Sequence, residues 1–261
     1  MPELPEVAAA ALELTKAALG KTIAAVRPIH FAMKKKFPPA DARRVKGRRI
    51  DAIERQGKHQ LLRLDSGDTL VVHFRMNGDW EVGTTGGEID RFARGVIDLA
   101  DGTRISLIDS RALSSITLDR EGSSSLPKLG MDANDPGLNA SHLKQVLARK
   151  KIGIKPALMD QAILAGLGNI YAAEALWRAG IDPTRPASSV SPAKLAKIVD
   201  SIRYVLSPGA AIPGRYTDGD TEGRFAVYGR EGEKCRKCGT KVSRIVQAAR
   251  STYFCRKCQR G

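Results

Sequence analysis

The sequence predicts an α+β chain of two domains with a small metal-bound module at its C-terminal end. Three observations predict it. A short helical pattern is followed by alternating apolar runs as far as about Leu118, helical spacing dominates from Ser141 to Leu206, and four cysteines close the chain as two Cys-x2-Cys pairs. A length of 261 residues suits two cores, since a domain usually holds ~100 to 150 residues.

The first element spans Val7 to Leu19, rich in Ala and Leu. Val7, Ala11, Leu14 and Ala18 fall on one helical face, and Gly20 is suited to end the helix. From Thr22 onward the period changes. Gln60–Leu64, Thr69–His73, Gly95–Leu99 and Arg104–Ile108 read as short strands, separated by turn signals such as Ser66-Gly67 and Asp101-Gly102. Together they predict a β-sandwich or flattened barrel. Glu121–Ser125 and Asn134–Gly137 are poor in apolar residues and rich in breakers, so the domain boundary is expected there. Beyond it, Ser141–Lys150, Pro156–Ala165, Ile170–Ala179 and Ser191–Leu206 carry helical spacing, with Ser141 and Ser191 as candidate N-caps. Gly209–Gly223 reads as a Gly, Pro and Asp loop.

Cys235-x2-Cys238, sixteen residues and then Cys255-x2-Cys258 match two chelating knuckles joined by a hairpin-sized insert. Each knuckle turns two thiolates toward one tetrahedral ion, and four filled positions make the site structural. One Zn2+ is the expected cofactor. A redox Cys-x2-Cys would need a thioredoxin-like setting, which is absent from the pattern.

Apolar residues make up 42% of the chain and charged residues 27%, the balance of a globular protein rather than a disordered tail. Forty-three Lys and Arg against 28 Asp and Glu leave +15, which points to a polyanionic partner. No apolar run approaches the ~18 residues of a membrane span, and the start lacks a signal-peptide pattern. A cytosolic location and no membrane partner are expected.

Pro2 follows the initiator Met1, and its removal would leave a secondary amine at the chain end. An α-amino group has a pKa of ~8, so a useful fraction is neutral near pH 7 and able to attack an aldehyde-like carbon. Glu3 and Glu6 lie beside it as candidate acid or base groups. Ordinary helix initiation would produce the same Pro and Glu pattern.

Pro2-Glu3-Leu4-Pro5-Glu6-Val7, the central Leu167-Gly168-Asn169-Ile170-Tyr171-Ala172-Ala173-Glu174 and the terminal cysteines occur together and in this order. In this combination the chain resembles the formamidopyrimidine-DNA glycosylase family, including relatives of the endonuclease VIII type, from Met1 to the last cysteine. The resemblance implies an N-terminal helix on a β-sandwich, a helical domain with a helix-two-turn-helix motif, and a zinc finger. The matching division is 1–120, a linker at 121–137, 138–228 and 229–261. For activity it implies a bifunctional enzyme of base-excision repair, which flips a damaged base from duplex DNA, cleaves its glycosidic bond and cuts the strand by elimination. A monomer acting on damaged double-stranded DNA is expected.

Residue by residue, the resemblance implies that Pro2 is the nucleophile at C1′, Glu3 the acid/base partner and Glu6 a supporting carboxylate. Lys58, in Arg55-Gln56-Gly57-Lys58-His59, matches a hairpin lysine contacting phosphate and the damaged nucleoside. Asn169 matches a phosphate-binding asparagine whose neighbouring backbone N–H groups also meet phosphate at the positive end of a helix. Lys155 resembles a further phosphate contact, and Arg250 the zinc-finger arginine on the phosphates flanking the lesion. Met76 resembles a methionine that fills the hole left by the flipped base.

Two stretches depart from the family pattern. Where members commonly read Asp-Pro-Arg-Arg-Phe-Gly, this chain has Asp109-Ser110-Arg111-Ala112-Leu113-Ser114. Arg111 is retained as a contact to the orphaned base, while the aromatic wedge has become Leu113. The Gly209–Phe225 loop is shorter than in members specific for oxidised purines. Ring-opened purines and oxidised pyrimidines are therefore substrates to set beside 8-oxoguanine. A non-catalytic or altered-specificity binder of damaged DNA on the same scaffold is the alternative, and a zinc-dependent RNA-binding protein a third.

Overall fold

Leu4–Ala18 form helix α1, which begins three residues before the apolar spacing does because Leu4 is itself buried. Val7, Ala11, Leu14 and Ala18 are all buried, as the one-face pattern requires. In this computed structural model, which describes residues 2–207 and 225–260, the chain divides into two contact units. The first holds Pro2 and Glu6–Leu126; the second holds Glu3–Pro5 and the described residues from Pro127 onward. Met1 and the Gly209–Gly223 loop lie outside the described residues.

The first unit contains two four-stranded antiparallel sheets. One runs β1 (Ile23–Pro28), β6 (Ala93–Leu99), β7 (Thr103–Ile108), β5 (Asp79–Thr84); the other runs β2 (Ile50–Gln56), β3 (His59–Leu64), β4 (Thr69–His73), β8 (Ser115–Asp119). Their inward residues share one core, with Ile23, Ile97, Ile105 and Leu107 from one sheet and Ile50, Leu62, Leu70, Val72 and Ile116 from the other. The architecture is the expected β-sandwich with α1 packed against it. Two short helices within the β-rich stretch, α2 (Phe31–Lys36) and α3 (Pro39–Val45), escaped the periodicity reading. Six or seven residues are too few turns to show a 3.6-residue stripe, although Met33, Phe37 and Val45 anchor them in the core.

The second unit begins with a two-stranded parallel pair, β9 (Met131–Asp132) with β10 (Leu164–Ala165). Four helices follow the expected order: α4 (Ala140–Leu147), α5 (Ile154–Met159), α6 (Asn169–Ala179) and α7 (Pro192–Leu206). Ser191 caps α7 as expected, accepting from Lys194 N–H at 3.4 Å. Ser141 does not cap α4. Asn139 does, accepting from His142 N–H at 2.9 Å, because its amide, two residues earlier, already reaches the first free N–H groups.

Helix α5 also differs from the expected Pro156–Ala165. It starts at Ile154, with Pro156 in its first turn, where a missing N–H costs nothing. It stops at Met159 because Gln161 takes over the chain. The Gln161 side chain donates to Met159 O and Leu167 O and accepts from Gly166 N–H, each at 2.9 Å. That one amide holds the double turn leading into α6.

The C-terminal hairpin pairs β11 (Ser243–Gln247) with β12 (Arg250–Phe254). It rests on α6 through Ala173, Val227, Cys235, Val242 and Cys255. Lys237 donates to the α6 carbonyls of Trp177 at 3.2 Å and Arg178 at 3.1 Å, and its ammonium lies 4.2 Å from the Trp177 ring centre.

Candidate active site and nucleic-acid interface

Glu3 is 1% exposed, and its carboxylate accepts from the backbone N–H of Ile170 at 2.9 Å and Tyr171 at 3.3 Å. It therefore caps α6, whose own cap residue, Gly168, offers no side chain. The fit requires glycine: a Cβ on Gly168 would stand 2.3 Å from Glu3 Cδ. Gly166, at φ +90°, would likewise meet Leu4 Cδ1 at 2.5 Å. The positive end of α6 thus receives Glu3, whereas the sequence reading assigned its neighbouring N–H groups to a phosphate. An internal carboxylate satisfies the same dipole and the same two donors.

Lys155 is buried at 1% exposure yet fully bonded. Its ammonium donates to Asn169 Oδ1 at 2.5 Å, Thr252 Oγ1 at 3.0 Å and Ser251 O at 3.1 Å. Three N–H donors meet three protein acceptors, so Lys155 ties the α6 start to the zinc hairpin. Burial, opposed by Glu3 and assisted by Arg250, pulls its pKa down to about 8. Asn169 turns its amide toward the Tyr228 hydroxyl at 3.5 Å. Burial pushes the Tyr228 hydroxyl above its usual range. Tyr228 is itself held by Glu174, whose buried carboxylate accepts from the N–H groups of Ala226, Val227 and Tyr228 at 2.8 to 2.9 Å. Gln161, Glu174 and Tyr228 were missed in the sequence because their roles depend on partners far along the chain.

Arg250 is exposed at the start of β12, beside a cavity of about 230 Å³ that is also lined by Lys155, Asp160 and Gln247. The turn before it, Ala248-Ala249, holds φ of +46° and +57°. That is the two-residue hairpin turn which normally selects Asn-Gly.

The remaining candidate residues belong to the first unit. Pro2 is partly buried at the chain start, and Glu6 lies in the first turn of α1. Lys58, 7% exposed, sits in the two-residue turn between β2 and β3, after Gly57 at φ +57°. Next to it, His59 and His73 are cross-strand partners with ring centres 4.6 Å apart. Burial first, then His59, Arg75 and Lys58, drive His73 down to about 3, so it is neutral at physiological pH and its Nδ1 accepts from Arg75 N–H at 2.9 Å.

Met76 and Leu113 are exposed apolar side chains at loop tips, 36% and 42% accessible, and Arg111 is exposed between them in sequence. Asn77 Nδ2 donates to Ser110 Oγ at 3.3 Å and joins their two loops. Backbone strain concentrates beside these residues. Among the described residues, the non-glycine positions with positive φ are Arg75, Ala112, Ala248 and Ala249, each within two residues of Met76, Arg111 or Arg250. Left-handed backbone costs of order 1 kcal/mol per residue and persists where the surroundings enforce it.

The four cysteine sulfurs lie within 4.8 Å of one another, with Cys238–Cys255 at 3.5 Å and Cys235–Cys258 at 3.9 Å. Zinc–sulfur bonds of ~2.3 Å in a tetrahedron give sulfur–sulfur edges of roughly 3.8 Å, so the ion fits. Burial and then the neighbouring sulfurs push Cys258 up to about 12, the crowding of anions that a dication relieves. Trp177 Nε1 donates to Cys235 Sγ at 3.4 Å and steadies that ligand.

Three family models cover nearly the whole chain. Residues 1–116 match the formamidopyrimidine-DNA glycosylase N-terminal domain, 129–218 its H2TH domain, and 232–261 the zinc finger found in FPG and IleRS. The chain belongs to the formamidopyrimidine-DNA glycosylase family. Among family members, the Sphingopyxis alaskensis formamidopyrimidine-DNA glycosylase is 38% identical and the Herpetosiphon aurantiacus enzyme 36%, over 99% or more of this chain and all of each relative. The Lactococcus lactis family structure, solved on DNA containing an abasic site, superimposes with a TM-score of 0.89 at 28% identity, each chain fully covered. The Thermus thermophilus member gives 0.84 at 31% identity over 99% of this chain and 98% of that one. Membership establishes the helix, β-sandwich, H2TH and zinc-finger fold, and zinc as the metal of the four cysteines.

Proposed function

We propose that this glycosylase acts as a monomer in the cytosol on damaged duplex DNA, with glycosylase and abasic-site lyase steps joined at Pro2. The observation that carries the reading is the Glu3 carboxylate locked onto the start of α6, which fixes an acid/base group directly after the N-terminal amine. Residues 1–120 supply the nucleophile, Lys58 and the void-filling loops; 138–228 and 229–261, beyond a linker at 121–137, supply Lys155, Asn169 and Arg250.

The damaged base is flipped out, and Met76, Arg111 and Leu113 occupy the gap and address the orphaned partner. The neutral Pro2 nitrogen attacks C1′, and the glycosidic electron pair leaves with the base, which gains a proton. Glu3 assists opening of the sugar ring by proton transfer. A secondary amine then forms an iminium ion without shedding a second proton. Loss of a C2′ proton then expels the 3′ phosphate and leaves a C2′–C3′ double bond, which cuts the strand. Glu6 supports the local field, while Lys58, Asn169 and Arg250 hold the flanking phosphates.

Relatives solved with ring-opened guanine and with 8-oxoguanine DNA mark the lesion classes to try first. Oxidised pyrimidines are set beside them, and Leu113 in place of an aromatic wedge bears on the preference for the opposing base. Borohydride trapping on an abasic-site oligonucleotide tests the chemistry. A covalent adduct at Pro2 is the expected result; intact folded protein without an adduct would overturn the Schiff-base mechanism.

A further inference from the structure

Lys36 ends α2 in the run Lys34-Lys35-Lys36. Lys34 and Lys35 are exposed, but Lys36 turns inward, and its ammonium donates to Leu113 O at 3.0 Å and Ser114 O at 2.8 Å. From the other side, the fully buried carboxylate of Asp109 accepts from Arg111 N–H at 2.9 Å and from Leu113 and Ser114 N–H at 2.7 Å each. Asp109 is fixed in turn: its N–H reaches Phe92 O at 2.9 Å, and Arg94 Nε donates to its carbonyl. The loop between holds Ala112 at φ +53°.

We propose that Lys36 and Asp109 form a two-sided clamp that presets the 110–114 loop for insertion into DNA, with Lys36 a positioning residue for Leu113 and Arg111. The cation takes the loop's carbonyls and the anion takes its N–H groups, so both polar sets of an exposed turn are satisfied before DNA arrives. Fixing a backbone costs conformational entropy, and a loop already fixed does not meet that cost on binding. A leucine fills less space than an aromatic ring, so its position matters more. The clamp extends to the Met76 loop through the Ser110 hydroxyl, which accepts from Asn77. Proline, the common family residue there, has no hydroxyl, so this link belongs to the Ser110 sequence.

The inference rests on the void-filling role proposed for Leu113, and the test separates the two. A duplex carrying a tetrahydrofuran abasic analogue opposite 2-aminopurine reports loop insertion by fluorescence, without any cleavage. Lys36→Met is expected to slow insertion roughly tenfold through loss of two charge-assisted hydrogen bonds. Lys36→Arg should recover most of the rate, and binding to the single-stranded analogue should be unchanged in both. Lys36→Gln serves as a second neutral variant if melting shows that Lys36→Met is poorly folded. Normal insertion in a neutral variant, with insertion lost in Leu113→Ala, would overturn the clamp and leave the wedge standing. Unchanged insertion in Leu113→Ala would remove the wedge itself and the clamp with it.

Discussion

Glu3 is the N-terminal cap of α6, accepting from the N–H of Ile170, 167 residues further along the chain. The bond joins the residue after the proposed nucleophile to the H2TH turn that carries Asn169. Chemistry and fold therefore share one carboxylate.

Glu3→Gln should reduce base excision by about two orders of magnitude or more and abasic-site cleavage much less, since an amide cannot exchange the proton. Gly168→Ala should imitate it with Glu3 still in the sequence, because the new Cβ would collide with the Glu3 carboxylate and displace it. Single-turnover cleavage of lesion and abasic duplexes, with melting curves alongside, checks both. Full excision by Gly168→Ala would show that Glu3 need not occupy that seat.

Lys155 predicts a pH dependence of opposite sign for stability and for function. Its pKa is lowered to about 8 from 10.5. Below pH 8 folded and unfolded chains both carry the proton, and the burial cost is fully present. Between pH 8 and 10.5 the unfolded chain binds the proton and the folded one does not, so this group's contribution to stability rises with pH. The ammonium bonds to Asn169, Ser251 and Thr252 weaken over the same range. DNA affinity by fluorescence anisotropy should therefore fall above pH 8 while the melting temperature shows no matching loss, and Lys155→Met should flatten the affinity profile.

Zinc removal should act on the second unit first. The two tryptophans divide the report: Trp80 donates to the buried Gln60 at 2.9 Å in the sandwich, and Trp177 to Cys235 at 3.4 Å. Chelation, or Cys255→Ser, should change Trp177 emission and abolish DNA binding at temperatures where Trp80 is unaffected. Coincident loss of both signals in Trp177→Phe and Trp80→Phe variants would contradict this order.

The Ala248-Ala249 turn carries strain that substitution should relieve. Ala248→Asn with Ala249→Gly should stabilise the zinc hairpin by about 1 kcal/mol, as left-handed backbone becomes inexpensive. The measurement is the chelator concentration that half-releases zinc. A lower concentration than for the parent would mean that the alanines make contacts worth more than the strain.

Much of the site was legible because its signals are local. The Cys-x2-Cys spacing encodes a metal knuckle wherever it sits, the face of α1 repeats at the helical period, and strands of the sandwich alternate within a few residues. The motif around Asn169, read together with the chain start and the cysteines, carried the family.

What required the tertiary structure was the destination of each polar group. Sequence placed Asn169 at a helix start but assigned that helix's N–H groups to phosphate; in the fold Glu3 holds two of them. It chose Ser141 where Asn139 caps, and it saw Lys36 only as part of a basic chain. A buried hydrogen bond is chosen by whichever partner the whole fold brings within about 3 Å. That selection is non-local, so residues 167 apart share a bond that no window of sequence contains. The sequence by itself determined the face of α1, the order of the later helices, the metal and the family. Only the packed chain decided that the Glu3 beside the chain-end amine would be the cap of α6.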